Sequence, residues 1–177
     1  EGGKEAMDTS GFGLSFMRFI SGTESIHKNL EKKVAGFLAV EDSILYSTNF
    51  MANLGFIATI TNETIGSSEP YMVAIYTDEL NHASIIDAFK LCKKENVIKR
   101  IYPHGDIETL EKFLIEDQEK KYRFKIIVTD GVFSMEGYLA ELPKLKELSD
   151  KYEAMLFVDD AHSVGVLGKT GAGTPEH

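Results

Sequence analysis

Apolar residues along this chain recur at helical spacing in some segments and form short continuous runs in others. From Ile26 to Leu38 they recur every three or four positions, with Glu and Lys between them, which predicts an amphipathic helix. Similar spacing, together with a capping Asp106 and a Pro143 suited to a first helical turn, predicts four more helices. These are residues 50–61, a helix bearing Ile85, Ile86, Phe89 and Cys92, a helix bearing Ile107, Leu110, Phe113 and Leu114, and a helix bearing Leu142, Leu145, Leu148 and Tyr152.

Short apolar runs between these segments predict β-strands. The runs are residues 43–47, 71–77, 97–102, 124–129 and 154–158. Because strands and helices alternate along the chain, we expect an α/β fold in three layers, with a largely parallel sheet between helices. The polar stretch 61–70, with Gly66-Ser67-Ser68, is typical of a surface loop.

Composition narrows the class of protein. The 177 residues are 43% hydrophobic and 27% charged, which is typical of one globular domain. The net charge of −9 and the lack of a basic patch argue against nucleic-acid binding. The single cysteine, Cys92, excludes an internal disulfide and a Cys-based zinc site, and its helical face indicates an inert buried thiol. No apolar run approaches ~20 residues, so we expect no membrane span.

The densest group of polar side chains follows the last predicted strand. The apolar run from Ala154 to Val158 ends on Asp159 and Asp160, and His162 follows two residues later. Ligands of open α/β sheets bind at the carboxyl ends of the strands, so this cluster indicates a cofactor or metal site. Acids and glycine after a strand are also ordinary turn residues, and that interpretation stays open.

Other predicted strand ends carry groups suited to one cofactor. Thr48-Asn49-Phe50 precede a helix whose first N–H groups are suited to a phosphate, although Thr and Asn are also ordinary caps. His82 lies in a first helical turn, where a neutral imidazole is suited to stack on a ring, and Ser134 offers a hydroxyl. Pyridoxal 5′-phosphate (PLP) combines a phosphate with a basic ring nitrogen, and Asp159 is suited to keep that nitrogen protonated.

Several stretches of the sequence resemble, in order, those of the α-oxoamine synthases, a family of fold-type I PLP enzymes. The stretches are Arg18–Thr23, Ser25–Glu31, Glu41–Ser47, Asp78–Asp87, Leu91–Lys93, Thr129–Met135 and Asp159–Gly165. The resemblance covers nearly the whole chain and implies PLP as cofactor and acyl transfer from a CoA thioester to an amino acid. It is greatest to members that condense glycine with acetyl-CoA to 2-amino-3-ketobutyrate and CoA, in threonine metabolism.

The resemblance also implies roles for single residues. Asn49 and Phe50 match the phosphate-binding pair, His82 the ring-stacking histidine, Asp159 the carboxylate at the ring nitrogen, and His162 and Ser134 the groups near the phenolic oxygen. His82, Asp159 and His162 are therefore the predicted catalytic residues. A homodimer of the full-length protein is expected, as is a cytoplasmic location, or a mitochondrial one in a eukaryote.

The chain departs from the family pattern in two places. The family's Schiff-base lysine follows the Asp-Asp-x-His motif at a greater distance than Lys169, which we interpret as a turn residue, and the chain ends at His177. We therefore expect residues 1–177 to form part of a large domain that lacks the N-terminal segment, the Schiff-base lysine region and the small domain, and to show no turnover alone. The connection from Asn62 to Tyr71 is also longer than the family's usual one.

Rival interpretations remain. The 8-amino-7-oxononanoate synthases, 5-aminolevulinate synthases and serine palmitoyltransferases are alternatives within the family, and a non-catalytic phosphate-ligand-binding fragment is another. Asp159, Asp160 and His162 form a possible metal site, for which His82 is the best further ligand. The Gly168-Lys169-Thr170 run does not match a P-loop, because Ser163 stands where the motif needs its first glycine.

Overall fold

A computed structural model describes residues 1–13, 16–62 and 72–177, which group into two compact units, residues 1–45 and 46–177. The first unit contains helix α1 (Gly2–Ser10), one π-helical turn (Arg18–Gly22) and helix α2 (Ser25–Leu38). The amphipathic helix predicted between residues 26 and 38 is confirmed. Its buried Glu31 forms an ion pair with Lys28 at 2.9 Å and accepts a hydrogen bond from Arg18 at 2.8 Å, and these two cations lower the pKa of Glu31 to about 2.

The second unit contains a four-stranded parallel sheet in the order β2-β1-β3-β6. Its strands are β1 (Val73–Asp78), β2 (Val97–Tyr102), β3 (Phe124–Asp130) and β6 (Met155–Asp159). A short antiparallel hairpin, β4 (Val132–Phe133) and β5 (Tyr138–Leu139), follows β3. The helices are α3 (Asn49–Asn62), α4 (Ala83–Leu91), α5 (Ile107–Glu116) and α6 (Leu142–Lys151).

Helices cover both faces of this sheet, because its central strands are apolar on both sides. On one face α5 and α6 bury Leu110, Leu114, Leu145 and Leu148 against Ala74, Tyr76 and Ile127. On the other face α3 and α4 bury Ile57, Ile60, Ile85 and Ala88 against Val73, Ile75, Ile126 and Val128. The expected three-layer α/β arrangement around a parallel sheet is confirmed.

The strand register brings polar residues to one edge of the sheet. Asp78 at the end of β1 pairs with Tyr102, and Asp130 at the end of β3 pairs with Asp159. Parallel strands end at the same edge, so Asp78, Asp130 and Asp159 form a row of carboxyl groups there. This edge carries the candidate site.

The structure corrects several details of the predicted elements. The strand predicted at residues 43–47 is wrong: the segment has no regular secondary structure and enters no ladder, and Ile44 and Tyr46 are exposed. Residues 61 and 62 of the predicted loop belong to α3. The rest of that stretch, including Gly66-Ser67-Ser68 and the connection up to Tyr71, lies outside the described residues. Sequence patterns missed α1 and the β4–β5 hairpin.

Two predicted apolar positions on α4 also differ. Ile86 is exposed, and Cys92 follows the last turn as a half-buried residue that accepts the Thr61 hydroxyl at 3.2 Å. Burial raises the pKa of the Cys92 thiol, in keeping with an inert residue. Within the described residues, no helix is long and apolar enough to cross a membrane.

Candidate functional site

The carboxylate of Asp159 is buried at the end of β6, with 7% of the residue exposed. Asn49 Nδ2 donates to both of its oxygens, at 2.9 and 2.8 Å, and Asn53 Nδ2 donates to Oδ2 at 2.7 Å. The main-chain N–H of Ala161 donates to Oδ1 at 3.1 Å. Asn49 and Asn53 are one helical turn apart on α3, so one face of that helix orients the carboxylate. All these donors are neutral.

His82 lies at the start of α4 and is connected to Asp159 through two buried side chains. Asn53 Nδ2 donates to Ser84 Oγ at 2.8 Å, and Ser84 Oγ lies 2.7 Å from His82 Nδ1. His82 also caps α4, because its Nδ1 accepts the main-chain N–H of Ser84 at 3.2 Å. The imidazole itself is exposed. Asp159 and His82 are therefore parts of one hydrogen-bonded group.

Asn81 anchors the turn that carries His82. Its Nδ2 donates to Thr77 Oγ1 at 2.8 Å and to the carbonyl of Val128 at 2.9 Å, and its Oδ1 accepts the main-chain N–H of Asp130 at 2.8 Å. The amide thus connects the ends of β1 and β3. This buried position explains how a loop residue such as His82 is held at a defined place.

Asp130 is the third carboxyl group of the row. Burial, and then the nearby charge of Asp159, raise its pKa to about 7, although the His82 main-chain N–H at 3.4 Å and the His162 imidazole oppose the change. A protonated Asp130 spares the site a second negative charge beside Asp159.

Asn49 and Phe50, the predicted phosphate-binding pair, form the first turn of α3. The side chain of Asn49 bonds to Asp159, so it is the main-chain N–H groups of these two residues that stand at the helix start. N–H groups in this position have no intrahelical acceptor. Both residues are exposed, and the Thr48 hydroxyl caps the same turn by accepting Met51 N–H at 3.1 Å.

Ser134 and His162 occupy exposed turns. Ser134 lies in the turn of the β4–β5 hairpin, and His162 follows β6 close enough to Asp130 to lower its pKa. The structure therefore brings His162 to the row of carboxyl groups. It shows no contact between Ser134 and that row among the described residues.

Asp160, by contrast, serves the local fold. Its carboxylate accepts the Thr174 hydroxyl and the Thr174 main-chain N–H, the latter at 3.0 Å. A Cβ added at Gly131 would overlap both Asp160 and Thr174, so this closed arrangement requires glycine there. Within the described ranges, no three His, Cys, Asp or Glu side chains form a group that could hold a metal ion. Lys169 is exposed in a turn.

Sequence reasoning missed four residues of the site: Asn53, Asn81, Ser84 and Asp130. A signal existed for each of them. Asn53 follows Asn49 at the spacing that places two side chains on one helical face, and Asn81 and Ser84 flank His82. Asp130 directly follows the buried run of β3, as Asp159 follows that of β6.

Comparison with known proteins gives a consistent result. Residues 4–175 match the aminotransferase class I and II family. The chain is 45% identical over 174 residues to the 2-amino-3-ketobutyrate coenzyme A ligase of Escherichia coli K12, a match that covers 98% of this chain and 41% of that protein. It is 45% identical over 172 residues to the 8-amino-7-oxononanoate synthase of Petrotoga mobilis, covering 97% and 41%.

A solved structure agrees with these relatives. Serine palmitoyltransferase from S. paucimobilis with a bound PLP–myriocin aldimine superposes with a TM-score of 0.81 at 33% identity, covering 98% of this chain and 42% of that one. The chain thus spans about two fifths of the length of the relatives it matches. These matches indicate PLP as the cofactor, as the residue pattern predicts.

Proposed function

The chain belongs to the aminotransferase class I and II family, and we propose on that premise that it is part of a PLP-dependent acyltransferase, an α-oxoamine synthase that condenses glycine with acetyl-CoA to 2-amino-3-ketobutyrate and CoA. The relative from E. coli, a 2-amino-3-ketobutyrate coenzyme A ligase, supports this choice of substrates. A homodimer, and a place in threonine metabolism, belong to the same proposal.

One observation carries the proposal: among the residues that the structure describes, the donors to the buried Asp159 carboxylate are all neutral, and this carboxylate shares a hydrogen-bonded group with His82. Amides fix the direction of a carboxylate without neutralising it, so its charge remains available to a cationic partner. The protonated ring nitrogen of PLP is such a partner. The residues present therefore fit the cofactor.

When bound, PLP supplies an electron sink for the negative charge that develops on the amino-acid carbon. Asp159 is proposed to keep the proton on the ring nitrogen, through a charge-assisted hydrogen bond of about 1.5–3 kcal/mol. Asn49, whose amide spans both carboxylate oxygens, is the exposed donor and would be the one to give up an oxygen to the ring nitrogen. Asn53 is buried and stays in place.

The remaining residues bind and orient. His82 offers the exposed face of its imidazole for stacking on the ring, and the first main-chain N–H groups of α3, at Asn49 and Phe50, offer donors to the phosphate. Ser134 and His162 are proposed to contact the phenolic oxygen as hydrogen-bond donors. His82, Asp159 and His162 are the proposed catalytic residues.

Binding of PLP to the chain tests the cofactor half of the proposal. We expect saturable binding, which is measured through the absorbance of the bound cofactor. Asp159→Asn is expected to weaken binding about tenfold to a hundredfold, because it removes a charge-assisted hydrogen bond. A carbocyclic PLP analogue without the ring nitrogen is the matched control ligand, and its affinity should not respond to Asp159→Asn. Equal losses for both ligands would contradict the role of Asp159.

Release of CoA from acetyl-CoA, measured on the longer enzyme of which this chain is proposed to be part, tests the acyl-transfer half, because residues 1–177 alone are expected to show no turnover. We expect release to require glycine and to fall when alanine or serine replaces glycine, or when a long-chain acyl-CoA replaces acetyl-CoA. A preference for one of those replacements would assign the chain to another branch of the α-oxoamine synthases, such as that of the Petrotoga mobilis relative. PLP binding without CoA release under any pairing would favour the second candidate, a non-catalytic binding protein.

A further inference from the structure

Asn53 donates to two acceptors, Asp159 and Ser84, and Ser84 in turn contacts His82. From this arrangement we propose that Asn53 is a positioning residue that fixes His82 as the tautomer with its proton on Nε2. Its value for catalysis rests on the proposed function, whereas the tautomer is a property of the chain itself. Neither the sequence pattern nor the similarity to known proteins assigns a role to Asn53.

The direction of the hydrogen bonds is set at Asp159. An ionised carboxylate only accepts, so the amide of Asn53 turns Nδ2 toward Oδ2, at 2.7 Å. The same Nδ2 lies 2.8 Å from Ser84 Oγ. Since an amide nitrogen carries two hydrogens and accepts none, Ser84 Oγ must be the acceptor in that bond.

The hydroxyl of Ser84 then has its own hydrogen to donate. Its Oγ lies 2.7 Å from His82 Nδ1, and the main-chain N–H of Ser84 donates to the same nitrogen at 3.2 Å. Because the main-chain N–H donates to Nδ1, this nitrogen carries the lone pair, and the hydroxyl of Ser84 must be the donor in the 2.7 Å bond. The proton of the neutral imidazole is therefore on Nε2.

Burial makes the direction of these hydrogen bonds hard to reverse. Asn53 is 1% exposed and Ser84 is 0% exposed, so water is not at hand to replace either partner. Asn53 occupies one of the two lone pairs of Ser84 Oγ, so without Asn53 both lone pairs are open to a hydrogen from Nδ1. The carboxylate and the imidazole, which are proposed to meet the cofactor at different atoms, thus depend on one amide.

The variant Asn53→Leu tests the proposal, because it removes both donors and keeps the branched shape and the number of heavy atoms of the side chain. The readout is the pair of ring-nitrogen chemical shifts of His82 in the ¹⁵N-histidine-labelled chain, at about pH 8.5, where an ordinary histidine is neutral. We expect the ratio of the Nε2–H to the Nδ1–H tautomer to fall roughly tenfold, the effect of one hydrogen bond. His82→Gln assigns the signal among the five histidines.

Asn62→Leu is the matched control. Asn62 ends the same helix, and within the described residues its side chain bonds to the main chain, to the Leu91 carbonyl at 3.0 Å and to Lys93 N–H at 2.7 Å. We expect its His82 spectrum to equal that of the original chain. A folded Asn53→Leu chain, judged by circular dichroism, with an unchanged tautomer ratio would overturn the proposal.

A second variant covers the case in which Asn53→Leu does not fold. Ser84→Ala removes the hydroxyl with a smaller change of volume, and the same shift toward Nδ1–H is expected; an unchanged ratio there counts equally against the proposal. PLP binding is measured in parallel. Because the tautomer is read without cofactor, a chain that shows the Nε2–H tautomer but binds no PLP would overturn the proposed function alone.

Discussion

Asp117 and Asp159 are both buried carboxylates of the unit formed by residues 46–177, but their partners differ in charge. Asp117 accepts hydrogen bonds from Arg100 at 2.7 and 3.1 Å, from Lys120 at 2.8 Å and from the Tyr76 hydroxyl at 3.1 Å. Asp159 accepts only amide and main-chain donors in the described part of the chain. The first carboxylate is neutralised by cations, and the second is oriented without being neutralised.

This difference separates a structural ion pair from a binding site. Burial by itself would raise the pKa of Asp117, but the bonds from Arg100 and Lys120 outweigh it and lower that pKa. Nothing remains there for a ligand to neutralise. At Asp159 the charge is left for a cationic group, which is the property that the proposed function requires.

The largest expected effect is the loss of stability on removing Asp117. Asp117→Ala leaves Arg100, which is only partly exposed, without its two shortest bonds and leaves the buried Tyr76 hydroxyl without an acceptor. We expect the free energy of unfolding to fall by about 3 kcal/mol, as for other broken buried pairs. Urea unfolding measures this.

Asp87→Ala is the matched control for that change. Asp87 pairs with Lys90 at 2.7 Å on the exposed surface of α4, so its loss should cost no more than about 0.5 kcal/mol. A similar cost for both variants would show that the cations around Asp117 contribute no more than a surface pair, and the comparison with Asp159 would lose its basis.

Asp130 gives the next effect, a dependence of stability on pH. Its folded pKa is raised from 3.8 to about 7, so the folded chain keeps a proton that the unfolded chain loses in this range. The free energy of unfolding should therefore fall as pH rises from about 4 to about 7. Asp130→Asn should remove this fall and gain at least about 1 kcal/mol over the original chain at about pH 8.

Asp106 provides the control, because its pKa is shifted in the opposite direction from that of Asp130. Bonds from the Thr109 hydroxyl and main-chain N–H lower the pKa of Asp106, so Asp106→Asn should instead remove a contribution that grows as pH rises. Unfolding measured at several pH values distinguishes the two. A gain for Asp130→Asn that is equal at about pH 5 and about pH 8 would contradict the raised pKa.

The fold was predictable from the sequence where hydrophobic spacing and sheet pairing agree. The strand Val97–Tyr102 forms as predicted because it pairs with β1 over its whole length, and the helix capped by Asp106 forms as predicted because it buries Leu110 and Leu114. Residues 43–47 have the same local pattern but form no strand, because a strand also needs a partner that no local pattern reveals. The β4–β5 hairpin is too short to leave a periodic signal.

The sequence predicted individual chemical groups of the site but not the contacts that connect them. Asp159 and His82 stand out in the sequence as charged or aromatic residues at strand and helix ends. Asn53 and Ser84, which connect them, are ordinary helix residues, and they lie 31 positions apart in a hydrogen bond that only the packing of α3 against α4 creates. The contact of Asn49 with Asp159, across 110 positions, was hidden for the same reason.

The smallest expected effect on stability is that of Asp159→Asn. An asparagine keeps one carbonyl oxygen for Asn53 and leaves no buried charge, so the free energy of unfolding should change by less than about 1 kcal/mol. PLP affinity, in contrast, should fall, while Asp117→Asn should lower stability and leave PLP affinity unchanged. Urea unfolding and PLP titration of both variants measure this crossed pattern. A loss of stability at Asp159 as large as that at Asp117 would mean that both carboxylates serve the fold, because a site reserved for a cationic ligand contributes its charge to binding and not to folding.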